Sequence, residues 1–136
     1  MSVHAGPETL SAAAFEVMHK AYSPYSHFPV GAALEAADGR VFVGCNVENA
    51  SFPGGLCAER SALAAAVAHG AREFTRLVIA TESDAPAPPC GICRQMLAEF
   101  APRLDVLSCT ARGARSSWNL AELLPNPFTP RFLEHE

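Results

Sequence analysis

The sequence predicts an α/β protein in which a mixed sheet packs with helices as a sandwich, and three observations carry that expectation. An Asp38-Gly39 turn signal lies between two β-type runs and marks an antiparallel hairpin early in the chain. Beyond it, helical and strand patterns alternate, the order that brings parallel strands into one sheet. The 136 residues fit a single domain over 1–136, because a chain of this size buries roughly two thirds of the surface that its unfolded form exposes.

Pro7 to about Tyr22 carries Leu10, Ala13, Ala14, Val17, Met18 and Ala21 at helical spacing. Pro7 suits the opening turn and Glu8 the positive end of the dipole. Ser23-Pro24-Tyr25-Ser26 breaks this helix, and Phe28 to Ala36 and Arg40 to Asn46 then form the hairpin across a two-residue turn. The turn-rich stretch from Val47 to Gly55 leads to Cys57, where an Ala-rich helix runs to about His69 and stops at Gly70. Phe74 to Thr81 is a β-branched run and reads as a strand. The stiff loop Ala85-Pro86-Ala87-Pro88-Pro89 delivers Cys90 and Cys93 to the start of a further helix that ends before Pro102. Leu104 to Thr110 is another strand, a shorter one follows near Ser116, and Asn119 caps a short helix through Leu124. Pro125 to Pro130 closes the pattern as an irregular tail.

The formal charge of -4 argues against a nucleic-acid partner, because phosphate binding draws mainly on Lys and Arg. A small neutral substrate fits better. The opening Met1 to Glu8 has neither a basic start nor a following apolar run, and no stretch is apolar enough to span a membrane, so a cytoplasmic protein is expected. The cysteine count is odd, 5, which speaks against a secreted disulfide framework and for reduced thiols. With 49% hydrophobic residues the chain has apolar surplus that subunit contacts can use.

Cys57-Ala58-Glu59-Arg60 and Pro89-Cys90-Gly91-Ile92-Cys93 supply three thiols and one carboxylate. Three soft ligands hold a zinc ion and leave a fourth tetrahedral position for water, and Glu59 can move that water's proton. Cysteine binds zinc as thiolate, and its ordinary pKa of roughly 8.5 falls at a helix N-terminus, where all three thiols are expected. Three thiolates over-neutralise Zn²⁺ and weaken it as a Lewis acid; Arg60 is the cation best placed to donate to a thiolate and offset this. Blander readings stand beside these. A closed zinc site would recruit Cys45, Cys109 or His69 as fourth ligand, and Cys90 and Cys93 alone could form a redox pair. Glu59 could be a helix-start carboxylate and Arg60 a solvated helix residue. Cys45 and Cys109 read as small buried residues.

C-x-E followed by P-C-x-x-C is the Cys-first form of the zinc deaminase signature. Over nearly its whole length the chain resembles cytidine deaminase of the small, zinc-dependent, homotetrameric type. Besides the two cysteine motifs, with Arg94-Gln95 following the second, the likeness rests on Tyr25-Ser26-His27-Phe28-Pro29-Val30-Gly31-Ala32-Ala33, Gly44-Cys45-Asn46-Val47-Glu48-Asn49-Ala50 and Leu123-Leu124-Pro125. The resemblance implies a three-layer α/β/α sandwich around a mixed five-stranded sheet, one Zn²⁺ per subunit, and hydrolysis of cytidine or deoxycytidine to the uridine form with release of ammonia, a pyrimidine salvage step. It also implies residue roles: Cys57, Cys90 and Cys93 as metal ligands, Glu59 as proton shuttle, and Arg60 beside the metal. Asn46 and Glu48 would hold the ribose 3'-hydroxyl, Phe28 would pack on the base, Ala58 would touch the substrate, and Phe128 would reach a neighbouring subunit's pocket in a homotetramer with shared sites.

Read without the family, Asn46 is a turn former, Glu48 a loop charge, Phe28 a core residue and Phe128 tail packing. Phe52 stands where the family often has Tyr, so a hydrogen bond from that hydroxyl is lost, and Pro53-Gly54-Gly55-Leu56 replaces a more usual approach to the first Cys. Two rival functions are a deaminase of a cytosine-nucleoside antibiotic such as blasticidin S, for which the Asn46/Glu48 pair would be superfluous, and a zinc-stabilised nucleoside-binding protein without turnover.

Overall fold

The computed structural model describes residues 6–134, so the opening Met1 to Ala5, part of the stretch read above for targeting, lies outside it. Helix α1, Pro7–Met18, has Pro7 in its first turn and buries Leu10, Ala14 and Met18, the i, i+4, i+8 stripe. It ends four residues before the expected Tyr22. Tyr22 is drawn instead into main-chain pairing with the 46–48 segment: its N–H donates to Asn46 O at 3.0 Å, and Glu48 N–H donates to its carbonyl at 2.8 Å.

Strands β1 (Val30–Ala36) and β2 (Val41–Cys45) form the hairpin, paired from Gly31↔Cys45 to Glu35↔Val41. The connection is one residue longer than expected. Gly39 N–H donates to Ala36 O (2.9 Å) and Ala36 N–H to Arg40 O (2.8 Å), so Ala37, Asp38 and Gly39 form the loop. Gly39 takes the left-handed position at φ 93°, which a side chain would resist. Strand β1 starts at Val30, not Phe28, because Pro29 has no N–H to give a ladder.

Helix α2, Ala58–Ala68, follows a 3₁₀ turn at Phe52–Gly54. It closes in a Schellman arrangement, Ala71 N–H to Ala66 O at 3.0 Å and Gly70 N–H to Val67 O at 3.0 Å, with Gly70 at φ 90°. Strand β3 (Phe74–Thr81), helix α3 (Gly91–Phe100), strand β4 (Asp105–Thr110), strand β5 (Arg115–Asn119) and helix α4 (Leu120–Leu123) complete the order. Asn119 caps α4 in a capping box with Glu122. A further 3₁₀ turn, Pro130–Leu133, lies in the tail.

The five strands run β2-β1-β3-β4-β5, with β3 and β4 parallel and the remaining pairs antiparallel. This is the mixed sheet, and the helices cover both of its faces. Along β3, Leu77 and Ile79 point toward α2 and α3, into the cluster with Leu34, Leu63, Leu97 and Val106, whereas Val78 and Ala80 point toward α1 with Leu10, Ala14 and Met18. Each fully buried Leu or Ile contributes about 1.5–3 kcal/mol.

Close approach on the hairpin demands two glycines. A Cβ on Gly31 would lie 1.9 Å from Ala14 O of α1, and one on Gly44 would lie 2.4 Å from Ala62 N of α2. Both helices therefore rest directly on hairpin backbone. A small ladder, Tyr22↔Val47 and Val47↔Leu56, then ties the exit of α1 to the approach to Cys57.

Candidate active site

Cys57 and Cys90 are the N-cap residues of α2 and α3, both extended, and Cys93 lies in the first turn of α3. The two helix N-termini bring three sulfurs together, all within 4.8 Å of one another. Cys57 Sγ is 3.8 Å from Cys90 Sγ, and Cys90 Sγ is 3.5 Å from Cys93 Sγ. Two sulfurs bound at 2.3 Å to a tetrahedral zinc are about 3.8 Å apart, so the donor set and its spacing fit the metal. Among the described residues, Cys45, Cys109 and His69 are not members of this group. Cys109 is buried in the α1 cluster, where Ser11 Oγ donates to its sulfur at 3.3 Å, whereas Cys45 is only half-buried.

The thiols differ in acidity. A hydrogen bond from Cys93, helped by Arg60 and Cys90, brings the Cys57 thiol down to about 5. Cys93 is pushed up, first because it keeps its proton for Cys57 and then by burial. Arg60 Nη2 lies 3.7 Å from Cys57 Sγ and donates to Gly55 O at 3.3 Å, so its guanidinium spans the first thiol and the loop before it. Glu59, one residue earlier in α2, is 6% exposed. Burial raises its carboxyl to about 7, with the Cys57 charge adding to the rise. A carboxyl poised near neutrality and set beside the sulfurs can both take up and release a proton.

A cavity of about 370 Å³ is walled by Tyr25, Ser26, Glu48, Asn49, Phe52 and Gly55; none of the three thiols lines it. Gly55 links it to the sulfurs through Arg60. Glu48 Oε1 accepts from Tyr25 N–H and Ser26 N–H, each at 3.0 Å, and Oε2 accepts from the Ser26 hydroxyl. These donors, the Ser26 hydroxyl foremost, hold Glu48 below the usual carboxylate range. Asn46 turns its side chain to main chain: Oδ1 accepts from Val30 N–H and Nδ2 donates to Phe28 O, both at 2.8 Å. Phe28 is 41% exposed, so it is not the core residue that its place at a strand start suggested as one reading. Ala58 packs its methyl in the core and leaves only its first-turn N–H toward the helix end. Phe52 is exposed and meets Tyr25 edge-on at 6.2 Å.

Two residues beyond the sequence reading support the site. Arg94 donates from Nε to Pro89 O (2.7 Å) and from Nη1 to Leu123 O (3.0 Å), fixing the loop before Cys90 against α4. Gln95 clamps Phe128 with both ends of its amide, Nε2 to Phe128 O at 2.7 Å and Phe128 N–H to Oε1 at 3.2 Å. The Phe128 ring stays exposed and stacks on Phe132 at 5.6 Å. The available signal was two polar residues directly after the last thiol, with partners far along the chain.

A mixed sheet flanked by helices, with three thiols on two helix ends and a buried carboxyl between them, defines a zinc-dependent hydrolytic deaminase. The chain belongs to the cytidine and deoxycytidylate deaminase family, whose zinc-binding region it matches over residues 6–109. It is 40% identical over 129 residues to the cytidine deaminase of Sporosarcina psychrophila, covering 94% of this chain and 95% of that protein. With the cytidine deaminase of Halalkalibacterium halodurans it shares 42% over 117 residues, 85% of this chain and 89% of that one. The crystal structure of cytidine deaminase from Burkholderia pseudomallei superposes with a TM-score of 0.88 at 44% identity, over 91% of this chain and 100% of that one. The cytidine deaminase of Mycobacterium leprae gives 0.77 at 38%, over 90% and 99%.

Proposed function

We propose that the protein hydrolyses cytidine and deoxycytidine to uridine and deoxyuridine, releasing ammonia, as a pyrimidine salvage enzyme of the cytoplasm. The observation that carries this reading is the buried Glu59 beside Cys57, Cys90 and Cys93, a carboxyl that the metal site leaves uncommitted. The three cysteines hold one zinc ion, which when bound supplies the Lewis acidity that makes water a nucleophile at neutral pH. Glu59 takes the proton of the water that adds to C4 of the base. It gives that proton to N3, and then passes a second proton from the added oxygen to the leaving amine, so that water enters and ammonia departs. Arg60 offsets the excess thiolate charge through Cys57.

The other residues bind and orient. Phe28 packs on the base, and the main chain of Ala58 meets the base at the start of α2. Asn46 keeps one amide hydrogen, and Glu48 keeps lone pairs, beyond the bonds described above, enough to hold the ribose 3'-hydroxyl as both acceptor and donor. Residues 1–136 act as one domain, four copies assemble, and Phe128 of one subunit completes the pocket of another. The test is the fall in cytidine absorbance on incubation with the protein, with and without a zinc chelator. Loss of absorbance that the chelator abolishes is expected; unchanged cytidine would overturn the proposal.

A further inference from the structure

Phe28 presents an unusual combination. The residue is 41% exposed, outside the buried core, yet both of its main-chain polar groups are taken by side chains. Its N–H donates to Ser26 Oγ at 3.1 Å and its carbonyl accepts from Asn46 Nδ2 at 2.8 Å. Ser26 is the junction. A hydroxyl has one hydrogen to give and two lone pairs to accept with, and here the hydrogen goes to Glu48 Oε2 while a lone pair receives Phe28 N–H. Between them His27 sits at φ 56°, a left-handed conformation that a residue with a side chain adopts at a cost, and its N–H is tied back to Ser23 O at 3.0 Å. Glu48 also takes the N–H groups of Tyr25 and Ser26. The turn that carries the ring is thus bent against preference and held by side chains from the 46–48 segment.

We propose that Ser26 is a positioning residue for the substrate pocket: by joining Glu48 to the Phe28 main chain it fixes the Phe28 ring before a base arrives. This rests on the reading of the site as one for a cytosine nucleoside. Phe28 is not among the residues that wall the cavity, but the turn that carries it, Tyr25 and Ser26, is; a contact surface ordered in the free protein costs no conformational entropy on binding, so the benefit falls on substrate affinity and not on the proton transfers of Glu59. Glu48 then has two tasks, bracing the turn and meeting the sugar, and its own substitution cannot separate them. Ser26 can, because amide exchange at Phe28 in the free protein reads the bracing of the turn by its hydroxyl apart from any contact with the sugar.

The experiment compares Ser26→Ala and Ser26→Thr in the zinc-loaded protein, together with amide hydrogen exchange of the free protein. Ser26→Ala removes the donor to Glu48 and the acceptor for Phe28 N–H; these bonds exist in the free protein, so the melting temperature is expected to fall by a few degrees, while KM for cytidine rises about five- to tenfold through the lost pre-organisation, with kcat within twofold and zinc content unchanged. Exchange at the Phe28 amide should accelerate. Ser26→Thr keeps the hydroxyl at an exposed position and should restore both KM and slow exchange. Unchanged KM in the Ala variant, a fall in kcat at constant KM, or a Thr variant no better than Ala would each overturn the proposal. A wild type that consumed no cytidine would instead overturn the substrate reading, and the Phe28 exchange rate in the two variants would still decide whether the clasp exists.

Discussion

Glu59 and Arg60 are adjacent in α2 but should fail in different ways when replaced. Glu59→Gln keeps shape and burial while removing the proton carrier, so deamination is expected to fall about 10²–10⁴-fold with zinc content, read by atomic absorption, intact. Full zinc with an undiminished rate would mean that another group moves the proton. Arg60→Ala should lower turnover more than zinc content, by about 10–100-fold, because on the proposed reading the guanidinium, 3.7 Å from Cys57 Sγ, would tune that thiolate without itself being a metal ligand. Unchanged turnover would return it to a surface role. The thiols and Glu59 were legible in the sequence because helix starts bring them together, and C-x-E and P-C-x-x-C encode those starts locally. Ser26, Arg94 and Gln95 were not, since each acts on a partner 22 to 33 residues away that no local pattern names.

At the scale of elements, the hairpin is the part with least room. Gly31→Ala would place a methyl 1.9 Å from Ala14 O, and because that neighbour is helix backbone it cannot rotate aside. A loss of about 1–3 kcal/mol or more is expected, read from the midpoint of urea unfolding. An unshifted midpoint would show that α1 can move off the sheet at little cost. Strand β3 was legible to the residue, Phe74 to Thr81, because a β-branched run bounded by polar segments has one reading. The end of α1 was not. Its apolar spacing continues through Ala21, but the competing main-chain pairing of Tyr22 with Asn46 and Glu48 comes from a segment that periodicity cannot see. The hairpin turn failed by one residue for a similar reason: Asp38-Gly39 fits a two-residue loop and a three-residue one ending in a left-handed glycine equally well.

For the whole molecule, Phe128, Phe132 and Leu133 are exposed, an apolar tail that the described residues leave uncovered. Sedimentation should give a mass of four chains of 14.4 kDa, and Phe128→Ala should raise KM with Glu59 chemistry intact. A monomer with full activity would remove Phe128 from the pocket. The Gln95 clamp carries this further. Its helix α3 is capped by Cys90 and carries Cys93, and its amide grips Phe128, so under the proposed assembly metal loading and subunit association would act through one helix. Two equilibria joined in this way are reciprocal: whatever factor zinc adds to subunit association, association must return to zinc affinity. Chelation should therefore shift sedimentation toward smaller species, and dilution alone should loosen the metal.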